Sequence, residues 1–131
     1  MKTYSELINM KDADVLEYFS ENEIRSYRYI AVMDDIMRNS NHDGGCADAY
    51  IVKADNLYLV YTFQIHFGHY EVYGVFDKLE DAVKELECAV TNLIDSYKQL
   101  DEENDREINP DDYYDWTDTD TERIINHFKK Q

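Results

Sequence analysis

Turn-forming residues are scarce in this chain, with one Pro and four Gly among 131 residues. That scarcity excludes a loop-rich scaffold and favours helices and short hairpins. Two cysteines, Cys46 and Cys88, are too few for a disulfide framework, so reduced thiols in an intracellular compartment are the simpler expectation. No stretch approaches the roughly 20 apolar residues of a membrane span. Met1 to Asn9 holds one Lys and no apolar run of signal-peptide length, which disfavours secretion by that route. Positive charge is short too: 13 Lys and Arg stand against 29 Asp and Glu, for a formal net charge of −16. Affinity for phosphates comes mainly from Lys and Arg displacing counterions, so this balance argues against duplex nucleic acid or anionic membrane as a direct ligand. A cytoplasmic protein with a cationic partner is the expectation.

What the chain has in excess is negative charge in one place. Residues 101 to 120 carry ten carboxylates (Asp101, Glu102, Glu103, Asp105, Glu107, Asp111, Asp112, Asp115, Asp118 and Asp120) against the single cation Arg106, with Tyr113, Tyr114 and Trp116 among them. Clustered like charge projects a field that repels nucleic acid and attracts basic clefts. Large amphipathic rings are favoured interface anchors and stack well on Arg. These ten acids and three rings are the candidate partner-binding residues, against the alternative of a solvated, self-repelling linker. A hydrophobic content of 44%, with twelve Tyr and five Phe, is too high for a chain disordered throughout.

The length suits one domain over 1–131, with a helical part at 1–40, a βββα core at 46–100, an acidic aromatic segment at 101–118 and a C-terminal helix at 119–131. Thr3 with Glu6 and Ser20 with Glu23 have capping-box spacing, and Asp12 is a third possible cap. From Ile24, the positions Tyr27, Ile30, Ala31, Met33 and Met37 recur at helical intervals, although Tyr27, Tyr29 and the β-branched residues leave a strand open. The Asn39 to Gly45 cluster should end this helix.

Three strands follow, at Ala47 to Lys53, Leu57 to His66 and Tyr70 to Phe76, with connections short enough to make them antiparallel neighbours. In the second, Leu57, Leu59, Tyr61, Phe63 and Ile65 form the face expected to meet the core. Leu79, Ala82, Val83, Leu86, Ala89, Val90, Leu93, Ile94, Tyr97 and Leu100 are spaced by threes and fours, which predicts a long amphipathic helix covering the sheet. Asn109-Pro110 reads as a breaker. Thr119 with Glu122 then announces a short helix presenting Ile124, Ile125 and Phe128. The expected class is α+β: N-terminal helices, a three-stranded antiparallel sheet, the covering helix and a C-terminal helix, with the acidic segment on the surface.

Catalytic chemistry finds little support. Asp111 to Glu122 has the length of a calcium loop, but Tyr113 occupies the third ligand position and Trp116 the position of the obligatory Gly. His66 and His69 flank a Phe-Gly turn without the rest of a metal site, and strand-end imidazoles are the commoner case. Cys46 follows two Gly and lies four residues after His42 but lacks a catalytic signature. Cys88 lies at the edge of the long helix's apolar stripe, which favours packing. Nucleophile elbows, phosphate-binding glycine loops and zinc spacings are missing. No enzyme, metal or cofactor is expected.

Small size, acid surplus, many Tyr and the lack of a catalytic signature make the chain resemble the acidic anti-defence proteins of phages and mobile elements, notably anti-CRISPR and antirestriction nucleic-acid mimics. The resemblance implies carboxylates placed where a nuclease expects phosphates, over a basic cleft. The partner it implies is a basic nucleic-acid-handling protein, such as a CRISPR effector or other defence nuclease, bound by a monomer or small homo-oligomer. Tyr73 to Ala82 is similar to the strand-to-helix junction of many small bacterial and phage proteins, which speaks to fold alone. Two alternatives remain: an immunity protein or antitoxin for a toxin nuclease, and a small-ligand sensor using the sheet face with Tyr58, Thr62, Gln64 and His66.

Overall fold

Thr3 and Glu6 start the chain as expected. The Thr3 hydroxyl accepts the Glu6 N–H at 3.2 Å and the Glu6 carboxylate accepts the Thr3 N–H at 3.1 Å, a reciprocal box at the start of α1 (Tyr4–Ile8). The Thr3 N–H, and then the Thr3 hydroxyl, donating to the Glu6 carboxylate hold it below its ordinary range. The computed structural model describes residues 2–32, 47–64, 68–103 and 113–129. Helix α2 (Asp12–Asn22) has Lys11 at its N-cap, so Asp12 is the first residue inside rather than the cap. Together with Asp14 it puts negative charge in the first turn, where the helix dipole favours it. Ser20 lies within α2, and the Ser20/Glu23 pair therefore opens no helix.

Beyond Glu23 the chain is extended, as β1 (Arg25–Val32). This is the main departure from the expected order, in which a helix began near Ile24. The residues fit both periods: Tyr27, Ile30 and Ala31 recur at helical steps, and Tyr27, Tyr29 and Ala31 alternate equally well. The tie is broken by pairing with a strand whose aromatic and β-branched partners suit a pleated surface. Strands β2 (Ala47–Ala54), β3 (Leu57–Gln64) and β4 (His69–Phe76) complete an antiparallel meander of order β1-β2-β3-β4. The class is thus α+β, with four strands rather than three. The β2–β3 turn is the two-residue Asp55-Asn56, with Asp55 at φ 56°, a left-handed conformation that Asp tolerates better than most residues.

Both faces of the sheet are covered. Helix α3 (Leu79–Glu103) crosses one face and α4 (Asp118–Lys129) packs beside it near β1. Under them lies the larger core, with Ala49, Ile51, Tyr58, Val60, Leu86, Val90, Ile94, Ile124 and Phe128 among its members. Helices α1 and α2 cover the opposite face, where Leu7, Val15 and Phe19 meet Val52, Leu57, Leu59 and Val75. Strand β3 is therefore buried on both sides at Leu57 to Val60. The side expected to meet the main core instead meets the smaller one, while Tyr58 and Val60 lie beneath α3. Near-continuous apolarity, as in Leu57-Tyr58-Leu59-Val60, is what burial on both faces demands. Each large side chain of the α3 stripe contributes about 1.5–3 kcal/mol before entropy.

Candidate functional site

The end of α3, the residues preceding α4 and the outer edge of β1 meet in one joint. Tyr113 forms an isolated antiparallel bridge with Val32, and the Tyr114 N–H donates to the Ala31 carbonyl at 2.9 Å. A short piece of the acidic aromatic segment thus extends the sheet past β1, satisfying part of an edge that would otherwise be open. The Tyr113 hydroxyl donates to Asp101 Oδ2 on the last turn of α3. Lys98 Nζ stands 5.2 Å from the centroid of the Tyr113 ring. Asp101 is 4% exposed and Tyr113 is buried.

Asp120 organises the other half of the joint. Its Oδ2 accepts the Thr117 N–H at 2.9 Å and the Thr117 hydroxyl at 3.2 Å, and lies 3.2 Å from the Tyr29 hydroxyl, whose single proton is shared with the Tyr114 carbonyl at 2.8 Å. Its Oδ1 accepts from Arg123 Nη1 at 3.1 Å. Thr117 and Asp120 thereby make one arm of the box expected of Thr119 and Glu122, the Asp120 N–H going to the Thr117 backbone carbonyl at 3.0 Å, and α4 begins one residue earlier, at Asp118. Burial and then the nearby Asp120 carboxylate hold the Tyr29 phenol well above its ordinary range, so that it remains a neutral donor. Trp116 stacks on Tyr29 at 5.1 Å between centroids and 23° between planes, and its Nε1–H donates to Thr121 Oγ1 at 2.8 Å.

These contacts divide the predicted site residues. Asp101, Asp120 and Tyr113 are buried and held by the protein's own groups, and Trp116 is half-buried in the same joint. The expectation of a wholly superficial segment therefore does not describe them. Each removes polar or aromatic surface from water and finds a partner in exchange, as burial of such groups requires. Glu102, Glu103, Asp115 and Asp118 are exposed, as is Tyr114, at 40%. The contact between Asp101 and Tyr113 ties the α3 terminus to the 113–118 stretch, so these four exposed acids lie within a few residues of a common joint. Asp105, Glu107, Asp111 and Asp112 lie outside the described residues, as do the Asn109-Pro110 breaker, the Asn39 to Gly45 cluster, His42, Cys46 and His66.

The same charge continues along α3, whose sequence holds eight acids and two lysines. Glu80, Asp81, Glu87 and Asp95 are all on its solvent side. Cys88 is exposed on this helix rather than packed against the core, because the stripe turns inward at Ala89 and Val90. His69 is exposed at the start of β4. Among the described residues no three His, Cys, Asp or Glu side chains converge as metal ligands would. Of the sheet face offered for a small ligand, Tyr58 and Thr62 are buried, Tyr58 in the core beneath α3, and Gln64 is half-buried. No helix is long and apolar enough, among the described residues, to cross a membrane.

One polar residue stands out that the sequence reading passed over. Asp48, at 3% exposure, shares a single oxygen between Arg28 Nε at 2.7 Å and the Tyr50 hydroxyl at 3.1 Å, while Oδ1 has no hydrogen-bond partner among the described residues. A lone acid in the alternating run Ala47-Asp48-Ala49-Tyr50-Ile51 was the available signal. Compared with known proteins, the chain matches no family model, no curated protein and no solved structure.

Proposed function

We propose that this protein is a stoichiometric inhibitor that docks its exposed carboxylates onto the basic groove of a nucleic-acid-handling protein, such as a CRISPR effector or other defence nuclease. In that position it excludes the nucleic acid. The observation that supports the reading is the acidic outer surface of α3 running into Glu102, Glu103, Asp115 and Asp118, with exposed Tyr114 beside them. Neighbouring side chains on a helix face stand roughly 6 Å apart, a spacing compatible with successive phosphates. Such a surface accelerates encounter with a basic groove and sets its orientation, and the effect is screened beyond about 8 Å at physiological ionic strength.

Asp101, Asp120, Tyr113 and Trp116 have a different part in this reading. They fix the joint that carries the exposed acids, and a pre-formed surface loses less entropy on binding. A pull-down from lysate at low and at high salt, with the bound proteins identified, tests the proposal. A basic nuclease retained at low salt and released at high salt, and inhibited by the purified protein, is the expected result. A partner that is not basic, or one held equally at both salt concentrations, contradicts it.

A further inference from the structure

The opposite face of the molecule carries a second surface of distinct chemistry. Between α2 and the sheet runs a groove of about 320 Å³ floored by Leu16, Phe19, Leu59, Tyr61 and Tyr70. Among the described residues, the ionisable side chains that line it apart from the two phenols are Glu17 and Glu23, both exposed at the α2 rim. Two grooves along β1 and α4 differ in carrying cations, one with Arg28 and Arg123 beside Asp120, the other with Arg123, Lys129 and His127.

The aromatic floor is pre-arranged. Tyr50 stacks on Tyr61 at 4.8 Å and 10°, Tyr70 tilts against Tyr61 at 6.0 Å, and Phe63 lies 4.4 Å from Tyr70. Tyr70 nevertheless leaves 53% of its surface in water. Burial, the neighbouring phenols Tyr50 and Tyr70, and then Glu23 push the Tyr61 phenol up to about 12, so that this ring keeps its proton. Ring faces attract cations, and two carboxylates at the rim add to the same field.

We propose that this groove receives an arginine side chain from a basic partner protein, its alkyl stem along Leu16, its guanidinium over the exposed Tyr70 ring and between Glu17 and Glu23. Arginine fits better than lysine because its planar, weakly hydrated head stacks on rings while donating to carboxylates in the ring plane. A second copy of this chain is a poor occupant, since each copy carries a formal charge of −16. The groove lies across the sheet from the α3 surface, so each site stands or falls separately.

The test is a nuclear magnetic resonance titration of the whole protein with acetyl-Gly-Arg-Gly-amide, set against the same peptide carrying citrulline, which keeps the shape and removes the charge. The arginine peptide is expected to shift the ring signals of Tyr61 and Tyr70 saturably, and the citrulline peptide is not. The pair Glu17→Gln and Glu23→Gln, both at exposed positions, should weaken the arginine peptide about fivefold. The single change Glu122→Gln, at an exposed position of α4 on the other side of the sheet, should leave it unchanged. Equal shifts with citrulline, shifts confined to α3, or an unchanged affinity in the Glu17/Glu23 variant would overturn the assignment.

Discussion

Replacing Asp120 by Ala separates an acid that builds the molecule from one that decorates it. Asp120 is 7% exposed, and its carboxylate accepts from Thr117, Tyr29 and Arg123. Loss of the helix-start bond costs about 1 kcal/mol, and the Thr117 hydroxyl together with the Tyr29 hydroxyl, which keeps the Tyr114 carbonyl at 2.8 Å, loses about 2 kcal/mol of charge-assisted bonding. The Arg123 pair adds little because its guanidinium side is 56% exposed. The expected destabilisation is about 3 kcal/mol, which at roughly 4 °C per kcal/mol lowers Tm by about 12 °C. Asp118→Ala, two residues earlier on an exposed position of the same first turn, should cost no more than about 0.5 kcal/mol. Urea unfolding followed by Trp116 fluorescence is the assay, since the chain has a single Trp and its ring stacks on Tyr29 in this joint. Equal costs for the two variants would refute the reasoning.

Three further outcomes are expected. A double-mutant cycle of Tyr113→Phe and Asp101→Asn, read by urea unfolding, should give a coupling of about 1–3 kcal/mol, because the Tyr113 hydroxyl donates to a buried carboxylate. Leu86→Ala should cost about 2–5 kcal/mol by the same assay, since Leu86 is fully buried where α3 crosses the sheet. At alkaline pH, burial first and neighbouring groups second raise Tyr50 and Tyr61 from 10.0 to about 12. The native state keeps these protons after the unfolded chain has lost them, so stability present below pH 10 is lost as pH rises toward about 12. Phenolate absorbance and circular dichroism should report this as one late, shared transition, and early ionisation of all tyrosines without unfolding would contradict it.

Periodicity made the α3 stripe and the β2–β4 strands readable, because one face of each must leave water and leaves its period in the sequence. The first strand was not readable in the same way. Tyr27, Ile30 and Ala31 satisfy a helical spacing, and only pairing with β2, remote in sequence, decides for the strand. Capping chemistry was legible at Thr3 and misplaced by two residues at α4, where Thr117 and Asp120 outcompete Thr119 and Glu122 because Tyr29 and Arg123 also bind Asp120. Within the acidic segment, composition alone could not sort acids by burial. Asp101 and Asp120 differ from Glu102 and Asp118 through partners on distant elements, Tyr113 and Tyr29, which local charge counting does not see. The groove under α2 was hidden for a related reason: Leu16, Phe19, Tyr61 and Tyr70 come from three elements, and their convergence follows from the meander and not from any local pattern.

The most direct measurement is the binding of the salt-released partner to a variant carrying Glu102→Lys, Glu103→Lys, Asp115→Lys and Asp118→Lys, all at exposed positions. With helical content and unfolding midpoint close to those of the parent protein, its association rate at low salt should fall by about 100-fold or more and its inhibition should vanish. A correctly folded variant that still binds and inhibits as the parent does would show that the exposed acids are not the docking surface.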